Sequence, residues 1–218
     1  MVFLSNLCSI TRQENYASKI NMNSIPISAT RPSTSIRVAQ VVGLTASAYL
    51  AGSIGSISWQ SVPALMDAPA PLLAKQWKKI FDQGKVAAPP MAVISAAIFG
   101  GLAYREPVGS SNFNLYTAAA LLVPSIVPYT VFLMSTVNSK LQEKASSLAS
   151  ASLTDTAVES GAAEGETAHE LLEKWATLNL GRSLLPLIGT LAAGWAIVDK
   201  FEVLGLGASL KLGADRMG

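Results

Sequence analysis

Four side chains in the last third of the chain, Trp175, Asn179, Arg182 and Pro186, follow one another at intervals of four, three and four residues. On a helix those intervals put them on one face. A planar indole, an amide and a permanently charged guanidinium on one face could hold a flat phenolic ligand and stabilise an oxygen anion on it. The same residues also have an ordinary membrane reading. Trp175 would anchor the interface, Arg182 would snorkel to headgroups, and Asn179 would bond to a neighbouring helix. Asn138 is a second candidate, placed just beyond a proline-bent segment on the same membrane side as Arg182, with a helix cap or loop contact as its alternative use. His169 is the only imidazole and could serve as a base, since histidine titrates near neutral pH. It precedes Trp175 by six residues, however, and at about 100° per residue it points away from the Asn179 and Arg182 face. Trp59 completes the candidate set, as a substrate-facing wall or as an interfacial anchor.

Other chemistries find little support. Cys8 is the single cysteine, so neither an internal disulfide nor a thiolate zinc site is expected. One histidine and no clustered intramembrane carboxylates leave no metal site to propose. There is no Gly-x-Ser-x-Gly elbow and no phosphate-binding loop, and Gly205 and Gly207 follow no strand, so no nucleotide cofactor is implied. A net charge of +2 without a basic, aromatic-interleaved stripe argues against nucleic acid.

The elements that must position these residues read as membrane helices. Half of the 218 residues are hydrophobic and 14% are charged, against roughly 25% charged in an average soluble domain. Mean hydropathy is +0.38. The fold class expected is all-α, a bundle of four transmembrane helices. The first span runs from about 38 to 58, and its Gly43, Ser47, Ala51 and Gly55 make a row of small side chains for close helix approach. Trp59 and Pro63 continue the spacing. A short amphipathic helix, Leu72 to Phe81, is expected to lie in the interface or over the bundle mouth, with Leu73, Trp77, Ile80 and Phe81 near one face. The second span is read from about 89 to 104, opening on a proline. The third, about 114 to 134, contains Pro124 and Pro128 and should bend. Residues 142–166 read as a flexible acidic loop of low complexity. Thr167 and Glu170 fit a capping box that starts the last helix, whose span is read as about 184 to 198 with a kink at Pro186. Residues 1–36 are a polar leader expected to be disordered, and 205–218 a mobile tail. Lysines and arginines are divided between the two sides, so the positive-inside rule leaves the orientation open.

Four segments then make a resemblance. "SWQSVPAL" at 58–65, "KQWKKIFDQGKVAAPPMAV" at 75–93, "VPSIVPYTVFLMSTVNSKL" at 123–141 and "LLEKWATLNLGRSLLPLIG" at 171–189 resemble the fungal anthrone oxygenases. The similarity covers about residues 38 to 200, and the last segment is its most specific part. Members commonly show Pro-Thr-Asn after the third span, where this chain reads Ser135-Thr136-Val137-Asn138. A histidine base proposed for some members has no counterpart that can be aligned with His169.

The resemblance implies a multi-pass endomembrane protein that converts an emodin-type anthrone to the anthraquinone with O2. The anthrone methylene is acidic, its enolate is electron-rich, and a hydroperoxide formed from it loses water to leave the quinone, so no cofactor is required. Arg182 would stabilise the oxyanion with Asn179 or Asn138 as hydrogen-bond partner. The partners implied are the anthrone, O2, the lipid bilayer and enzymes of the polyketide pathway. A non-catalytic scaffold or a small carrier remains the alternative; a carrier more often shows internal repeats and intramembrane charges.

Overall fold

A computed structural model of the chain describes residues 32–159 and 166–217, with side chains described as far as Lys200. The leader expected over 1–36 therefore lies almost wholly outside the described residues, as do 160–165 of the acidic segment. Every regular element among the described residues is helical: α1 (Thr34–Ser56), a π turn (Ile57–Ser61), α2 (Val62–Met66), α3 (Ala70–Tyr104), α4 (Ser111–Leu122), α5 (Ile126–Leu133), α6 (Ser135–Ser147) and α7 (Ala168–Met217). Pro32–Glu202 forms one compact unit.

Three stretches of this unit are long and apolar enough to cross a membrane, Thr34–Met66, Ala70–Tyr104 and Ala168–Lys200. A fourth crossing is made if α4 and α5, bent by 41° at a short break, count as one broken span. The break falls at Pro124, which cannot donate to the helical ladder. The all-α membrane fold read from composition is thus the observed one.

The second span differs from its expected form. No separate interfacial helix precedes it: residues 72–81 are the opening turns of α3, which runs without interruption through Pro89 and Pro90. Proline fixes φ near the helical value, so each costs one backbone hydrogen bond without requiring a break, and membrane helices tolerate this where neighbours re-satisfy the freed groups. At 1.5 Å per residue α3 is about 53 Å long, against about 30 Å of hydrocarbon. It is therefore longer than a perpendicular crossing needs.

Two apolar clusters stack along the bundle. One gathers Leu50, Ile54, Phe99, Leu102, Tyr116, Val123 and Ala193. The other gathers Leu73, Trp77, Met134, Leu141, Leu172 and Trp175. The small-residue row of α1 allows the close approach expected of it. A Cβ on Gly43 would lie 2.8 Å from Ile98 Cγ2, and one on Gly55 would lie 3.3 Å from Ser183 Oγ. Between them Ser47 accepts a 2.8 Å hydrogen bond from Thr190 of α7. Gly189 makes the matching close approach from α7, where a Cβ would meet Val123 Cγ2 at 3.0 Å.

The capping box also forms. Glu170 N donates to Thr167 Oγ1 at 3.2 Å, and Thr167 N donates to the Glu170 carboxylate at 3.1 Å. Residues 142–147, read as loop, instead complete α6, because Leu141 is fully buried and holds that helix on the second cluster. The acidic segment that follows is tied at two points. Glu159 accepts from Lys144 Nζ at 2.7 Å and from the Ala168 N–H at 2.9 Å. Lys140 donates to Glu166 at 2.8 Å, and that hydrogen bond and charge hold the Glu166 carboxyl below its ordinary pKa.

Candidate active site

A short polar band crosses the bundle where the two apolar clusters meet. Its centre is Asn179 on α7, fully buried. The amide nitrogen donates to the Ile54 carbonyl at 2.8 Å and to Ser58 Oγ at 2.9 Å. The amide oxygen accepts from Arg182 Nη2 at 2.7 Å. Only this orientation of the amide gives each atom a compatible partner, because the guanidinium can only donate and the carbonyl can only accept. Both contacts from α1 arise at its junction with the π turn. Such wider turns interrupt the regular ladder and often occur at functional sites.

Arg182 is held by a second bond, from Nη1 to Thr130 Oγ1 at 2.9 Å. Thr130 is itself fixed, since its hydroxyl donates to the Ile126 carbonyl at 2.7 Å. The third guanidinium nitrogen, Nε, is buried and has no partner among the described residues. Gly181 leaves room beside this group: a Cβ there would stand 2.8 Å from the Tyr129 hydroxyl.

Arg182, Thr130 and Trp175 reach the wall of a cavity of about 380 Å³. Phe81 and Gly84 of α3 and Ile126 of α5 contribute apolar and open surface, and the exposed Lys85, Val127 and Val131 stand at its rim. The size falls within the roughly 300–1,000 Å³ usual for small-molecule sites, as does the mostly apolar lining with a few polar groups. Aromatic packing sets the wall. Trp77 stacks on Phe81 with ring centroids 5.1 Å apart and meets Trp175 edge-on at 6.0 Å. Trp175 Nε1 donates to Asn138 Oδ1 at 2.9 Å, which fixes the indole. A buried cation in the lining of a mostly apolar cavity that also holds Phe81 and Trp175 suits an aromatic ligand on which negative charge develops.

The candidates divide as follows. Trp175 and Arg182 line the cavity, Asn179 grips Arg182 from behind, and Asn138 steadies Trp175 without reaching the cavity. Pro186 shares their inward face and is fully buried. His169 is elsewhere. Its Nε2 donates to the Ala68 carbonyl at 3.0 Å, and it borders a separate cleft with Asp67, Thr156 and Glu159. Trp59 is 79% exposed and does not line the cavity. A strict four-residue row precesses about 40° at each step, so the row from Gly43 has turned by about 160° when it reaches Trp59. Ser58 faces inward in its place. Sequence reasoning does not single out Ser58, Lys85, Gly84 or Thr130.

Comparison with known proteins points the same way. The sequence profile of the anthrone oxygenase family matches residues 77–192. The chain is 32% identical over 166 residues to the Anthrone oxygenase encC of Aspergillus fumigatus, covering 69% of this chain and 87% of that one. It is 32% identical over 155 residues to an Anthrone oxygenase of Claviceps purpurea, covering 69% and 83%. The Monooxygenase hypC of Dothistroma septosporum is 22% identical over 153 residues, covering 69% and 77%. No solved structure matches.

Proposed function

The chain belongs to the anthrone oxygenase family, and from that premise we propose that it oxidises an emodin-type anthrone to the anthraquinone with O2 in the cavity bounded by Arg182 and Trp175. The single observation that carries this reading is the buried guanidinium of Arg182, held by Asn179 and Thr130 in the lining of the cavity. Removing a proton from the anthrone methylene places negative charge on the conjugated carbonyl oxygen. A fixed cation and N–H donors aimed at that oxygen stabilise the enolate without reorganising when it forms. The enolate then gives electrons to O2, the ring carbon gains a hydroperoxide, and loss of water leaves the second carbonyl. One oxygen atom of O2 thus enters the quinone and the other leaves as water.

Arg182 is the catalytic residue in this scheme. Trp175 and Phe81 hold the flat ring system, and Asn179, Thr130 and Asn138 are positioning residues. The reaction is proposed to need no cofactor, since the substrate enolate is itself the reductant of O2. His169 is not assigned the base, because it sits on another cleft. The exposed apolar rim residues Val127 and Val131 support delivery of a lipid-soluble substrate from the bilayer. An endomembrane location beside other polyketide enzymes fits that supply.

The test is oxidation of an anthrone under ¹⁸O2 by membranes carrying the protein, measured against spontaneous air oxidation. The expected outcome is quinone formed well above background with one ¹⁸O atom incorporated. A rate no greater than background from demonstrably folded protein rejects the reading in favour of a scaffold or carrier.

A further inference from the structure

The cavity bounded by Arg182 and Trp175 has two cations in its lining, Arg182 inside and Lys85 at the rim, and no carboxylate. Arg182 is partnered by Asn179 and Thr130. Lys85 makes no hydrogen bond or ion pair among the described residues. The acid one turn before it, Asp82, is held by Lys78 at 2.9 Å. Lys85 is therefore a cation at a cavity mouth with no counter-ion among the described residues.

The residue beside it gives a second, independent pointer. Gly84 lies within α3, where glycine costs about 1 kcal/mol relative to alanine. Close packing accounts for Gly43 and Gly189, whereas a Cβ at Gly52, Gly100 or Gly101 would meet nothing within 4 Å. The same is true at Gly84. What sets Gly84 apart from those three is its place in the cavity lining, between Phe81 and Lys85. The space it leaves open is space for a ligand, next to an ammonium without a partner among the described residues.

From Ile80 to Pro89 the lining stretch of α3 rises about 14 Å, long enough for a fused-ring ligand to lie along it from the Arg182 end to the rim. We infer that Lys85 is a specificity-determining residue that binds a ring carboxylate of the substrate at the rim, with Gly84 making room for it, so that among anthrones of the emodin ring type a ring-carboxylated one is preferred over its neutral counterpart. The inference rests on the function proposed above and deepens it. The chemistry Lys85 recognises is an anionic oxygen group, which a substrate carboxylate and a lipid phosphate both supply. The carboxylate is favoured here because Gly84 opens the cavity side of the turn rather than its outer surface.

The test uses two anthrones differing only in a ring carboxylate, with the full-length protein in nanodiscs of neutral phosphatidylcholine and in discs doped with phosphatidylserine. Lys85→Met keeps the apolar stem, Lys85→Arg keeps the charge, and Gly84→Ala fills the gap while favouring the helix. Lys85→Met should raise KM for the acid about fivefold to tenfold, the size of one charge-assisted contact at a partly exposed site. It should leave kcat, and KM for the neutral anthrone, within about twofold. Lys85→Arg should restore most of the acid preference, and Gly84→Ala should weaken it without loss of folded protein. An equal rise for both substrates, or an effect that follows the anionic lipid rather than the substrate, assigns Lys85 to the bilayer and overturns the inference. So does no change at all. If the wild type turns over neither anthrone above background, the parent reading has failed instead. Binding of the two corresponding anthraquinones, followed by quenching of tryptophan fluorescence, then still decides whether Lys85 selects the acid.

Discussion

Replacing Asn179 by leucine removes three hydrogen bonds at nearly constant volume. Two are interhelical, to the Ile54 carbonyl and Ser58 Oγ, and one fixes the Arg182 guanidinium. Interhelical hydrogen bonds in membrane proteins contribute only about 0.6 kcal/mol each on average, because the unfolded chain in the bilayer also finds partners. Those two therefore account for roughly 1 kcal/mol of stability. The bond to a charged group is stronger, about 1.5–3 kcal/mol. If that energy aims the guanidinium at the developing oxyanion, its loss appears in the barrier as about a 10- to 100-fold fall in kcat. The variant should thus melt slightly earlier and turn over far more slowly, with KM little changed because Trp175 and the cavity wall remain. Thermal unfolding in detergent and steady-state anthrone oxidation on one preparation measure both quantities. A clear loss of stability with an unaltered kcat would refute this reasoning and reduce Asn179 to a link between helices.

Other expectations rest on the same contacts. Trp175→Phe keeps a ring at the cavity wall but loses the bond to Asn138; KM should rise a few-fold while His169→Ala, on its separate cleft, leaves turnover within about twofold, both read from steady-state kinetics. Glu159→Ala removes the Lys144 ion pair and the bond to the Ala168 N–H at the start of α7; by the usual size of a helix-terminal cap it should cost about 1 kcal/mol of stability, seen as a lower melting temperature with normal specific activity. Replacing 160–165 by a Gly/Ser linker that keeps Glu159 should change neither. Tags placed before residue 32 and after 218 should be protected or digested together in sealed microsomes, as four crossings require; opposite behaviour would remove one crossing.

How far the site is legible in the sequence depends on how local its geometry is. The face shared by Trp175, Asn179, Arg182 and Pro186 follows from helical spacing alone, and so do the close approach of Gly43 and the cap at Thr167 and Glu170. Trp59 is misplaced by spacing because a four-residue row drifts around a helix, and the drift accumulates over four steps. The length of α3 is hidden because Pro89 resembles a helix start, whereas buried Leu73 and Trp77 anchor the preceding turns on the second cluster. Thr130 and Lys85 lie 52 and 97 positions before Arg182 in the chain. No spacing rule links them to it, and only packing of α3 and α5 against α7 brings the three to one cavity.

Arg182 bears the central claim. Wild type and Arg182→Ala, matched for folded protein in the membrane, should be compared under ¹⁸O2 with the spontaneous oxidation subtracted. An oxyanion donor in a buried site typically contributes about 10²–10³ in rate, so kcat should fall by that order while membrane expression changes little, and labelled quinone should nearly vanish. An Arg182→Ala protein that still forms labelled quinone at the wild-type rate would contradict the claim that this guanidinium and its cavity carry the oxidation.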